Sequence, residues 1–168
     1  MKHKHQSRRL QAGFSLIELL IVVAIIGILA AVAVPRLLKN IELGRESAAM
    51  QTLRTMHNAE AQFSAIKGKF GTLKELAEAG LIDPSYASGS PVNGYIYSSI
   101  EATPDKYCVQ ATRQAPSTAS RDFNVIEDGS IRYVESKTPS PVPHNEGSPI
   151  SGAGAGAAAP QASQQPQN

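Results

Sequence analysis

Between Phe14 and Val34 the chain carries 18 apolar residues in 21, interrupted only by Ser15, Glu18 and Gly27. Wound as an α-helix, such a run is about 31 Å long, close to the hydrocarbon thickness of a bilayer. Residues 1–13 hold Lys2, Lys4, Arg8 and Arg9 and no acid. Cytoplasmic flanks of membrane helices collect Lys and Arg, so the basic stub predicts one span with its N-terminus in the cytoplasm. Arg36 and Lys39 lie beyond the span, with Glu42 and Glu46 close behind. The whole chain has a formal charge of +2, so everything after the stub sums to 2 − 4 = −2. Later positive charge is not clustered with aromatic residues, and no nucleic-acid partner is implied.

Past Pro35 the helical pattern continues in a different style. Ala49, Leu53, Met56, Phe63 and Ile66 recur at helical spacing, with Arg54, Asn58 and Lys67 elsewhere on the wheel. The stripe predicts an amphipathic outer half packed on its own domain. From Phe14 to Ile66 one helix would measure roughly 80 Å, far more than a small domain needs. Gly68 and Gly71 break it, and Thr72-Leu73-Lys74-Glu75 matches a capping box that opens a short second helix. Gly80 suits the end of that helix, and Asp83-Pro84 marks a turn.

From Val92 the pattern is that of strands. Tyr95–Ile100 and Tyr107–Thr112 flank Thr103-Pro104-Asp105-Lys106, while Phe123–Glu127 and Ser130–Val134 flank Asp128-Gly129. An Asp-Gly pair between apolar runs predicts a two-residue hairpin turn, which places Ile126 opposite Ile131 and Phe123 opposite Val134. Both faces then carry apolar residues, and the core side stays open. Residues 136–168 hold six of the eleven prolines, a Gly-Ala run from Gly152 to Ala159, and no aromatic residue. So little apolar surface predicts a disordered, solvent-displayed tail. Cys108 is the single cysteine, which rules out an intramolecular disulfide. In mid-strand it reads as a small buried residue. His3, His5, His57 and His144 give no pair at metal-ligand spacing in a predicted folded region, and no cofactor is implied.

Gly13-Phe14-Ser15-Leu16-Ile17-Glu18 lies between stub and apolar run. A carboxylate four residues into a membrane helix costs several kcal/mol unless it is paired or reaches the interface by snorkelling. The stretch from Gly13 through Pro35 resembles the N-terminus of type IV pilins and type II secretion pseudopilins, and the likeness covers about residues 8–66. The resemblance implies a leader of residues 1–13, removed by a membrane-bound prepilin peptidase between Gly13 and Phe14, with N-methylation of Phe14 by the same enzyme. It further implies that Glu18 pairs with the Phe14 amine of a neighbouring subunit, and that the helix loosens between Gly27 and Pro35 in the filament. The implied architecture is α+β, the pilin fold: residues 14–34 form the inner, transmembrane half of a long helix. Residues 35–135 form its outer half and a head with a small antiparallel sheet of about four strands.

By the same resemblance the partners are further copies of the chain, the peptidase, membrane lipid before assembly, and an inner-membrane platform with its assembly ATPase. The location is the bacterial inner membrane, then a surface pilus or a periplasmic pseudopilus. Many pilins close their C-terminal region with a disulfide, which Cys108 alone cannot form. The Tyr-Pro-Thr-rich stretch of major pseudopilins has no clear match after the helix, which favours a pilus subunit. A rival reading takes Ala31-Val32-Ala33 as the cleavage signal of an ordinary secretory leader, but the apolar run is longer than such leaders carry and contains Glu18. An enzyme is disfavoured: no nucleophile and base converge, and Gly152-Ala-Gly-Ala-Gly156 lacks the strand, helix and Lys of a phosphate loop.

Overall fold

The computed structural model describes residues 14–150, and the chain divides into two compact units, residues 1–40 and residues 41–168. Helix α1 runs from Leu16 to Lys67 and supplies residues to both. In the first unit every described residue is exposed, and the helix is unbroken through Gly27 and Pro35. A proline inside a helix removes one backbone donor and crowds the preceding turn, at a cost of about 3 kcal/mol.

In the second unit α1 buries Ala49, Leu53, Met56, Ala59 and Phe63, spaced as one stripe. Ile66, expected in that stripe, is 73% exposed. It belongs to the last turn before Gly68, where a positive φ of 70° turns the chain out of the helix. Helix α2 (Leu73–Glu78) opens on the expected capping box: the Thr72 hydroxyl accepts from the Glu75 amide, and the Glu75 carboxylate accepts from the Thr72 amide at 2.8 Å. It closes with Gly80 at φ 71°, where the Gly80 amide donates to Ala77 and the Leu81 amide to Leu76, so the last carbonyls are satisfied. Asp83 then caps a single 3-10 turn, Pro84–Ala87.

Strands β1 (Tyr95–Ala102), β2 (Tyr107–Arg113), β3 (Arg121–Ile126), β4 (Ile131–Glu135) and β5 (Ser148–Pro149) form an antiparallel meander in chain order. The count is five, against about four expected, because β5 comes from the segment expected to be a tail. The β3–β4 register also differs from expectation by one residue. Val125 lies opposite Ile131 and Phe123 opposite Tyr133. The turn is longer than the two-residue type: the Gly129 amide donates to the Ile126 carbonyl, Gly129 alone takes positive φ (74°), and Ser130 is held by Asp128. That is a three-residue loop, a type I turn followed by a left-handed glycine. Because side chains alternate along a strand, the one-residue shift gathers Phe123, Val125, Ile131 and Tyr133 on one face. There they pack with Tyr95, Tyr97, Tyr107, Val109 and Ala111 against the α1 stripe.

The opposite face of the sheet is covered too, which corrects the expectation of a disordered tail from 136 onward. Residues 136–147 cross it, Val142 is fully buried, and Gln110, Asp122 and Asn124 lie beneath. Composition misled here because the segment is anchored through its backbone. The carbonyls of Ser136, Thr138, Val142 and Pro143 accept from side chains of the sheet, and proline forfeits no acceptor by lacking an N–H. Residues 151–168, with the Gly-Ala run, lie outside the described residues.

Candidate assembly site on the N-terminal helix

Phe14 and Ser15 precede α1, and the Ser15 carbonyl accepts the amides of Glu18 and Leu19 at 3.1 and 3.2 Å. Glu18 therefore sits in the first turn, where the helix dipole favours an anion. Phe14 is 81% exposed, and Leu16, Ile17, Leu19 and Leu20 are exposed with it. Among the described residues of this unit the cations are Arg36 and Lys39, five turns or about 27 Å further along the axis. No ion pair of Glu18 with either is within reach. A window of 18 residues of α1 has a mean hydropathy of 3.0 with none of it buried, so the helix is long and apolar enough to cross a membrane. Gly27 lies in this stretch, and a methyl group placed there would meet nothing. Packing within this chain does not demand a glycine at that position. Gly13 lies outside the described residues.

The head holds polar residues whose roles the hydrophobic pattern did not announce. Glu46 is buried on α1 and accepts from the Ser120 amide at 3.0 Å and from Arg121 Nε at 2.9 Å, tying the helix to β3. Glu60, fully buried on the same stripe, accepts the Gly71 amide at 2.9 Å through Oε2, while its Oε1 has no partner among the described residues. Burial pushes the Glu60 carboxyl up to about 7; the Gly71 amide opposes this and the Glu75 charge adds to it. Arg113 and Asp122 form a buried ion pair at 3.0 Å. A signal existed for two of these: Glu46 and Glu60 stand three residues before Ala49 and Phe63, on the buried face. Cys108 is buried in β2 as expected, and burial pushes its thiol up to about 12, so it is not a reactive thiolate.

The apolar helix with its early carboxylate has known counterparts. Residues 8–34 match the prokaryotic N-terminal methylation motif. The type IV major pilin protein PilA of Myxococcus xanthus is 45% identical over 58 residues, 34% of this chain and 26% of that protein. The type II secretion system core protein G of Aeromonas hydrophila is 30% identical over 80 residues, 48% of this chain and 56% of that protein. Both alignments span less than two thirds of the relative. The type IV major fimbrial protein FimA of Dichelobacter nodosus is 33% identical over 124 residues, covering 74% of this chain and 70% of that one. With a long apolar helix, an antiparallel sheet head and a likeness that runs through both, the chain belongs to the family of type IV pilins and type II secretion pseudopilins.

Proposed function

We propose that the chain is a structural subunit of a type IV pilus, made as a precursor, cut between Gly13 and Phe14, methylated on the Phe14 amine and assembled into a helical filament. The observation that carries this reading is Glu18: a carboxylate in the first turn of an uncovered apolar helix, with no cation of its own unit near it among the described residues. A buried carboxylate left unpaired is strongly destabilising, and a buried ammonium beside it recovers much of that cost. A neighbouring subunit's Phe14 amine supplies that ammonium only at the correct stagger, so the pair selects register. The apolar surface that faces lipid in the membrane faces other helices in the filament. Gly27 and Pro35 are where such a helix loosens most readily, by lost side-chain restraint and a missing donor respectively.

The partners are other copies of the chain, the prepilin peptidase, and a platform and ATPase of the inner membrane. The role is structural rather than catalytic. A pseudopilus subunit of a type II secretion system is the second reading, favoured by the likeness to core protein G. Loss of surface filaments on deleting the gene supports the pilus; a secretion defect with filaments intact supports the pseudopilus.

Glu18→Ala or Glu18→Gln tests the pairing. The variant removes an intramembrane charge, so processed monomer accumulates in the membrane at normal levels. Filaments seen by electron microscopy fall at least about tenfold, the factor that a loss of ~1.4 kcal/mol per contact gives. Normal filament numbers would show an incidental charge that snorkels to the interface.

A further inference from the structure

Residues 136–147 form a strap with three anchors on the sheet face turned away from α1. At its start Arg113 Nη2 donates to the Ser136 carbonyl at 3.1 Å, to Ser136 Oγ at 2.8 Å and to the Thr138 carbonyl at 3.0 Å, while Asp122 accepts the Ser140 amide at 2.9 Å. In the middle, Gln110 and Asn124 donate to the Val142 carbonyl at 2.6 and 3.2 Å, and Asn124 donates to that of Pro143 at 2.7 Å. At its end stands His144, with Nε2 2.8 Å from Glu127 Oε2 and 3.9 Å from Glu101 Oε2, and Nδ1 2.9 Å from Asn145 Oδ1. The first two anchors use guanidinium, carboxylate and carboxamide groups. The third alone holds an imidazole.

We propose that His144 is a proton-gated clasp: as an imidazolium it fastens the strap to β1 and to the β3–β4 turn, and loss of the proton lets residues 144–147 lift from the sheet while Val142 and Pro143 stay held by Gln110 and Asn124. The geometry carries this. Nε2 faces the Glu127 carboxylate and Nδ1 the Asn145 carboxamide; an imidazolium donates to both at once, where a neutral imidazole has a single N–H. The titratable and charged groups around it are few. Glu101 comes from β1, Glu127 from the β3–β4 turn, and from β2 comes the Cys108 thiol, kept neutral by burial. Glu146 on the strap itself is exposed. Partial burial pulls the His144 pKa down, but the hydrogen bonds to Asn145 and Glu127 and the two carboxylate charges outweigh it, and the balance lies above the ordinary 6.5. A group whose folded pKa is raised contributes fully below its unfolded value and ceases to contribute as pH rises through the folded value. The clasp is therefore closed in acid and opens in alkali, from 6.5 upward.

The test uses the full-length chain in detergent micelles. The His144 imidazole, followed by NMR, titrates with a midpoint above 6.5. Glu127→Gln lowers that midpoint, and Asn145→Asp, which offers an acceptor that cannot flip, raises it. Amide protection over residues 144–147, corrected for intrinsic exchange, falls about tenfold for each unit by which the midpoint exceeds the unfolded value. In His144→Gln protection is low from the start and flat with pH; should that variant fail to fold, Glu127→Gln decides the question, with opening at lower pH. A wild-type midpoint at or below 6.5 overturns the clasp, as does strap protection indifferent to the His144 titration.

Discussion

Glu60 shows how a single buried carboxyl couples the head to pH. One oxygen holds the Gly71 amide and so fixes the loop between α1 and α2; the other has no partner among the described residues. Its pKa is raised from 4.5 to about 7, chiefly by burial, so the folded state binds a proton that the unfolded state has released. Stability is then full below 4.5 and falls as pH rises toward 7. The expected loss is on the order of 3 kcal/mol for a shift of this size. Denaturant unfolding at a series of pH values measures it. In Glu60→Gln the amide is still accepted and nothing titrates, so the curve through that window becomes flat. An unchanged slope in the variant would assign the pH dependence to other groups. Gly129 makes a steric point at the same scale. It holds φ 74°, and an added Cβ would lie 2.9 Å from His57 Nε2, so the turn that sets the β3–β4 register admits no side chain without movement.

At the scale of elements, the strap is the part that composition alone misrepresents. Arg113 reaches Asp122, Ala119, Ser136 and Thr138 from a buried position, joining β2, the β2–β3 loop, β3 and the strap. An ion pair and a row of carbonyls thus close the C-terminal region of a chain whose single cysteine cannot. Truncation after Glu135 exposes Asn124 and Gln110 and strips Arg113 of its Ser136 and Thr138 acceptors, leaving Asp122 and Ala119. The expected loss is at least about 3 kcal/mol, since each unmatched buried polar group costs about 1–3. Truncation after Ile150 removes only a Gly-, Ala-, Pro- and Gln-rich stretch, and the unfolding midpoint stays close to that of the full chain. Equal midpoints for the two truncations would show that the strap contributes nothing to stability.

For the whole molecule the division into two units follows from two kinds of surface. The first unit exposes apolar side chains on all sides and depends on lipid or other helices to cover them. The second unit covers its own core between α1 and the sheet. Protein purified from its native host is expected to begin at Phe14 and to carry one added methyl group, read by intact mass and N-terminal sequencing. A chain beginning at Val34 would instead identify Ala31-Val32-Ala33 as an ordinary secretory cleavage signal and remove the basis for assembly through Glu18.

Much of this was legible before any coordinates. The apolar run, the position of Glu18, the capping box at Thr72 and the alternation of strands and turns are local patterns, and local patterns follow from backbone periodicity and hydrogen-bond chemistry within a few residues. Residues 8–34 carry the methylation motif, all of it local sequence. The tertiary structure decided which face of the sheet is core, because one residue of turn length moves every side chain of β4 to the other side of the register. It also decided the fate of Glu46, Glu60, Arg113 and Asp122, whose charges are buried only because distant segments supply their partners. The strap was hidden for the same reason: most of its anchors are backbone carbonyls, which every sequence possesses, meeting Arg113, Gln110 and Asn124 from strands more than fifteen residues away.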